Sequence, residues 1–220
     1  ALYNTYWKRD EELHKKLYPM SMRPQSHDII RTWAFYTILR SEQMTGEKPW
    51  DDIMINGFIM SPDGTPMHSS VGNVIDPVPI LEEYGADALR YYAATCSLGI
   101  DHAFREPDVV RGRRFCNKIF NLGQFVSRFL KNKPSESCDT LRVSDKWILS
   151  KFSKVVKEVS AFYDDYQFDR VVKILESFIW HEFADHYVEM VKSRDDEAVV
   201  YTLYNVFYGS LKMIAPLFPH

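Results

Sequence analysis

A chain of 220 residues, 45% apolar and 26% charged, has the balance of a globular protein. That excludes a disordered chain and, at roughly 100–200 residues per domain, allows one large domain or two small ones. The net charge of −3 excludes a uniformly basic nucleic-acid binder, and no apolar run approaches the ~18 residues a membrane span needs.

Residues 29–44 read as a helix entered through Ser26 or Asp28. Alternate apolar positions make 53–60 a strand, Pro62-Asp63-Gly64 a turn and 67–73 a loop of small and polar residues. Asp76-Pro77 starts a helix, with the aspartate as cap and the proline in the first turn, and a second short helix covers 86–96. A longer helix spans about 108–130. Between Ser135 and Ala215 there is no proline and Gly209 is the only glycine. That half predicts long helices, because proline inside a helix costs about 3 kcal/mol. Ile148, Phe152, Val155, Val156, Val159 and Phe162 repeat at helical spacing. Asp169 is placed to cap the next helix, which carries Val171, Val172, Leu175, Phe178, Ile179 and Phe183 on one face. A last helix runs from about Asp195 and closes at Pro216. The pattern is an α/β piece followed by an all-α bundle.

Cys96, Cys116 and Cys138 form no CxxC pair, which excludes a zinc ribbon and suggests reduced thiols in a cytosol. His181 and His186 are five apart, not the four that sets two histidines on one α-helical face, so no structural metal is expected. Charge is uneven: residues 105–133 hold eight Lys/Arg against Glu106 and Asp108, a net of +6, leaving −9 for the remainder. Such a stripe suits phosphate recognition or is simply a solvated helix face.

Three ordered segments carry more. They are Arg23-Pro24-Gln25-Ser26-His27-Asp28-Ile29-Ile30-Arg31-Thr32-Trp33; Asn56-Gly57-Phe58-Ile59-Met60 with Met67-His68-Ser69-Ser70-Val71-Gly72-Asn73-Val74-Ile75-Asp76-Pro77; and Tyr84-Gly85-Ala86-Asp87-Ala88-Leu89-Arg90-Tyr91 followed by Gly112, Phe115, Asn117-Lys118 and Asn121. Together they resemble the class I aminoacyl-tRNA synthetases, specifically the archaeal-like valyl-tRNA synthetase family. The resemblance covers nearly the whole chain. It implies the second half of a Rossmann-like nucleotide-binding fold with its stem-contact region over 1–106, then a helical anticodon-binding domain, truncated, over 107–220. No His-Ile-Gly-His tetrapeptide and no editing domain occurs, so the chain reads as a fragment, inactive alone, of a monomeric cytoplasmic enzyme. That enzyme joins valine to tRNA(Val) using ATP and Mg²⁺. The alternatives are a catalytically degenerate synthetase-derived tRNA-binding module, or an isoleucyl or leucyl enzyme.

The same resemblance implies residue roles. Asp28 would accept from ATP ribose hydroxyls, or cap its helix. Asn56 and Gly57 would lie beside the adenine; a glycine in a strand otherwise marks a bulge or a close packing contact. Trp33 would wall the valine pocket, with a core tryptophan as the alternative. Pro66-Met67-His68-Ser69-Ser70 aligns with the family's Lys-Met-Ser-Lys-Ser loop, but both lysines are gone and no Lys or Arg occurs between Ser61 and Ile75. Losing one such electrostatic donor costs ~10²–10³ in rate. His68, Ser69, Ser70, Met67 and backbone N–H groups near Gly72 are left to meet phosphate. Arg111, Arg114 and Lys118 share a helix face and would contact tRNA phosphates. Trp147 and Trp180 would stack on bases or pack in the core.

Overall fold

The computed structural model describes residues 9–130 and 134–220. It forms two compact units: one holds the chain up to Asn73 with Ser97–Phe104, the other Val74–Cys96 with Arg105–His220. Lys131 and Lys133 of the basic stretch lie outside the described residues.

In the first unit, helix α1 (Glu11–Leu17) is capped by Asp10, whose side chain accepts from the Leu13 N–H at 2.9 Å. Strands β1 (Met20–Ser26) and β2 (Trp50–Asn56) pair in parallel, from Met20 opposite Trp50 to Ser26 opposite Asn56. Parallel strands need a crossover. Here it is a 3₁₀ turn, His27–Ile29, a π turn, Ile30–Ala34, and helix α2 (Phe35–Thr45). The helical path thus begins earlier than residue 29. Ser26 holds the cap position without a side-chain bond, and Asp28 lies inside the first turn rather than ahead of it. The expected capping role of Asp28 is therefore not realised, because the chain tightens into i→i+3 bonding directly after β1.

The single strand expected over 53–60 is two. β2 ends at Asn56, and β3 (Ile59–Met60) pairs in parallel with β4 (His102–Ala103) instead. The break has a steric cause. A Cβ on Gly57 would stand 2.0 Å from the Ile100 carbonyl oxygen and 2.8 Å from the Asp101 nitrogen. Only glycine lets the 100–101 backbone cross so close.

The second unit is helical. Helix α3 (Pro77–Tyr84) has the expected cap, Asp76 accepting from the Val78 N–H at 2.9 Å. Then come α4 (Ala86–Thr95), α5 (Glu106–Ser127), α6 (Val143–Asp164) and α7 (Phe168–Ser177), which continues through a π-helical stretch, Phe178–Val188, into α8 (Glu189–Val191). α9 (Glu197–Ile214) closes the unit. Gln167 precedes α7, so Asp169 sits in the first turn and does not cap it. It still favours the positive helix end. Asp196 caps α9, accepting from the Val199 N–H at 3.2 Å. The face anticipated on α7 and its extension is buried throughout, with Ile148, Val159, Leu203 and Val206 completing the core.

One buried ion pair ties this core. Asp145 is fully buried. It accepts two bonds from Arg194 at 3.0 Å, one from the Tyr187 hydroxyl at 2.8 Å and one from the Arg142 N–H at 2.9 Å. Burial pushes its pKa up, but Arg194, the Arg142 N–H and Tyr187 outweigh burial and hold it below the usual carboxylate range. The stabilisation is complete above the unfolded value of about 3.9 and is lost as pH falls through the lower folded value. Arg194→Met strands the carboxylate, which costs about 3–5 kcal/mol. Acid unfolding followed by circular dichroism will show its midpoint move to higher pH.

Gly112 packs α5 on α4: a Cβ there would lie 2.8–2.9 Å from Tyr91 and from the Ala88 carbonyl oxygen. Alanine in a helix normally gains about 1 kcal/mol over glycine. Overpacking of about 1–3 kcal/mol outweighs that gain. Gly112→Ala is therefore expected to lower the urea midpoint, not raise it.

Candidate nucleotide site and basic helix face

Because β1 and β2 are parallel and in register at Ser26 and Asn56, the segments that follow them emerge at one sheet edge. In open α/β sheets ligands bind beyond the carboxyl ends of strands. That edge gathers Asp28, Asn56 and Gly57. Asp28 is exposed, and Asn56 is half-buried with its amide donating to the Gly57 carbonyl at 3.2 Å. Sequence reasoning missed Asp101, which joins them. Its Oδ1 accepts from the Phe58 N–H at 2.8 Å and from His27 Nε2 at 3.0 Å. The Phe58 N–H and then His27 hold the Asp101 carboxyl below its usual range. Nothing in the sequence signals a partner 74 residues from His27.

The lysine-free loop is tied down by Asn73. Its Oδ1 accepts from the His68 N–H at 2.9 Å, and its amide donates to the Thr65 hydroxyl at 3.1 Å and the Pro66 carbonyl at 3.0 Å. Asp63 anchors the loop's stem. Hydrogen bonds from the Ser61 hydroxyl, then from Thr65, pull its pKa down to about 2. The Val71 and Gly72 N–H groups both donate to the His68 carbonyl, at 3.0 and 3.2 Å. The backbone donors expected near Gly72 for an anion are thus engaged within the loop, because the turn closes on itself. Gly72 serves that turn at φ 75°, which L side chains rarely adopt. Met67 is half-buried, while His68, Ser69 and Ser70 face solvent.

Trp33 is not a core residue: it is 63% exposed. It borders a cavity of about 800 Å³, shared with Tyr18, Arg23, Tyr36, Arg40 and Trp50. Ile30 and Ile38 are also exposed, so the apolar stripe of this crossover is open in the structure.

On α5 the three cations differ. Arg111 binds Glu176 through two nitrogens, at 2.9 and 2.7 Å, and Tyr91 donates to the same carboxylate at 3.0 Å. Lys118 bonds Asp185 at 3.0 Å and lies 5.5 Å from the Trp180 ring centroid. Arg114 stands exposed. Trp180 stacks on buried Phe115 at 6.4 Å, and Trp147 packs against the core. His181 lies 3.2 Å from Asp185 in the π-helical stretch, so the spacing argument from an α-helix does not apply there. Among the described residues no cluster of three or more His, Cys, Asp or Glu side chains is arranged to hold a metal, and no helix is long and apolar enough to cross a membrane.

Residues 3–105 match the family model for tRNA synthetases class I (I, L, M and V), and 145–220 match the anticodon-binding domain of tRNA ligase. A valine–tRNA ligase of Methanococcus maripaludis is 43% identical across 97% of this chain and 26% of that protein. That of Methanothermobacter thermautotrophicus is 45% identical across 96% of this chain and 24% of its own length. The chain belongs to the valine–tRNA ligase family of class I synthetases. It spans about a quarter of the length of these curated relatives. Its Rossmann-like and helical fold is shared with a Mycobacterium tuberculosis methionyl-tRNA synthetase in complex with methionyl-adenylate (TM-score 0.77, 22% identity, all of this chain and 47% of that one). A leucyl enzyme of Agrobacterium radiobacter K84, in a ternary complex with tRNA and LeuAMS, gives a TM-score of 0.75 at 17% identity, over 93% of this chain and 26% of that one.

Arg111, which is paired, and Arg114, which stands exposed, differ in what they contribute to stability. Glu176 is 11% exposed but Arg111 is 63% exposed, so solvent screening limits the pair to about 1–2 kcal/mol. Arg111→Gln is expected to lower the urea unfolding free energy by that amount, while Arg114→Gln stays within about 0.5 kcal/mol of the parent.

Proposed function

We propose that this chain is the part of a valine–tRNA ligase that carries the second half of the ATP site, one wall of the valine pocket and part of the tRNA-binding surface. The observation that carries the reading is the parallel register that brings Asp28, Asn56 and Gly57 to one strand edge, within a sequence 43% identical to a valine–tRNA ligase over 97% of its length. The division of labour falls at 106/107, catalytic before and anticodon-binding after, in keeping with family matches over 3–105 and 145–220.

In this reading Asp28 accepts from the ribose hydroxyls, and Asn56 with the Gly57 backbone borders the adenine. Met67 and Gly72 shape the loop over the triphosphate, toward which His68, Ser69 and Ser70 donate. Mg²⁺ enters with the nucleotide, held largely by phosphate oxygens, so no protein cage is needed. Trp33 bounds the valine side chain. A hydrophobic wall discriminates one methylene by only about 1–3 kcal/mol. The chemistry is attack of the valine carboxylate on the α-phosphorus with release of pyrophosphate, then transfer of the valyl group to tRNA(Val). Positioning and charge stabilisation do the work. Arg114 contacts tRNA phosphate directly, and Arg111 and Lys118 do so from their paired positions. The parent acts as a cytoplasmic monomer, and the isolated chain is inactive.

The lysine-free loop favours one competing reading, a degenerate tRNA-binding module. Valine-dependent pyrophosphate exchange by the full-length protein separates the two. The proposal expects exchange with valine above isoleucine and leucine, and less than about a tenfold change in Ser69→Lys. A gain of about 10²–10³ found only with the lysine makes the native protein the module, and no exchange in either form overturns the enzyme. For tRNA, Arg114→Gln is expected to reduce the slope of log K against log salt by about one. An unchanged slope in filter-binding titrations removes Arg114 from the interface.

A further inference from the structure

The geometry points to His27 and Asp101 as a positioning pair that sets the separation of the two segments between which the nucleotide binds. This rests on the ATP reading above. The β1–β2 ladder stops at Ser26 and Asn56, so the ladder itself does not fix what lies beyond. His27 immediately precedes Asp28, and Phe58 immediately follows Gly57. One carboxylate oxygen spans both: Asp101 Oδ1 accepts from the Phe58 N–H at 2.8 Å and from His27 Nε2 at 3.0 Å. A carboxylate only accepts, so Nε2 carries the proton. The His27 ring also stands edge-on to Phe58, 4.9 Å between centroids. Asp101 is itself located independently of these bonds. The Ile100 carbonyl and the Asp101 nitrogen fill the space beside Gly57 where a Cβ would be, and the Ser97 N–H donates to His102 Nε2 at 3.0 Å.

The side chains of His27 and Asp101 are 39% and 33% exposed. A contact so open adds little to stability. What it supplies is geometry: it joins the residue before the proposed ribose acceptor to the residue after the proposed adenine contact. Neither residue is placed against ATP, so both act through Asp28 and the Gly57 backbone.

The test is ATP affinity by equilibrium dialysis on the full-length protein, with His27→Ala, Asp101→Ala, the double variant, His27→Gln and Asp101→Asn. Each alanine variant is expected to raise the ATP Kd about tenfold, as loss of one charge-assisted bond predicts. Valine affinity is expected to stay unchanged. The double variant should be no weaker than the singles, because the two residues act as a unit. His27→Gln, which keeps a donor, and Asp101→Asn, which keeps the acceptor for Phe58, are expected to recover most of the loss. Alanine variants within about twofold of the unmodified protein overturn the pair, as does a double variant whose loss is the product of the singles. If the unmodified protein binds no ATP, the nucleotide reading falls and the pair's role falls with it, an outcome distinct from variants that match a binding parent.

Discussion

Parallel pairing of Met20–Ser26 with Trp50–Asn56 is the constraint from which the rest of the first unit follows. Strands that run the same way cannot be joined by a hairpin. The chain between them therefore climbs back through the His27–Thr45 crossover, and the first residues of that crossover emerge beside the exit of β2. Proximity of Asp28 to Asn56 and Gly57 is thus a product of topology. The backbone at 100–101 crosses directly beside Gly57, and it fits only because residue 57 has no Cβ.

The helical unit solves a different problem. Its core is built from apolar faces that helical spacing already dictates, and two of its carboxylates with little exposure are each paired to an arginine. Asp145 with Arg194 lies inside the core, and Glu176 with Arg111 near its surface. The second pair draws on the same α5 cations that make the chain's basic stripe. Positive charge on this helix therefore has two uses, internal pairing and an exposed remainder at Arg114, and a charge count alone does not separate them.

How much was legible follows from the range of each interaction. The long helices, the Asp76 cap and the buried stripe on α7 rest on local spacing, and all were readable. Of the two entry residues offered for the first crossover helix, Ser26 holds the cap position and Asp28 does not, and Asp169 likewise falls inside its helix, because each helical path starts one residue before its aspartate, a shift decided by turn geometry and not by residue type. The split of 53–60 into two strands and the Asp101 bonds to His27 and Phe58 depend on a segment more than 40 residues away, to which periodicity is blind. The loop at 66–73 was located from its resemblance. Its closure by Asn73, and the engagement of the Val71 and Gly72 N–H groups by the His68 carbonyl, depend on turn geometry that residue types alone do not dictate.

In the reading we propose, the exits of β1 and β2 together hold the nucleotide. Photolabelling of the full-length protein with 8-azido-ATP, with the modified peptides mapped by mass spectrometry, tests this placement. ATP-competable labels are expected at or beside residues 26–28 and 56–58. Labels confined to the helical unit, or labels at the strand exits that excess ATP does not displace, would contradict it.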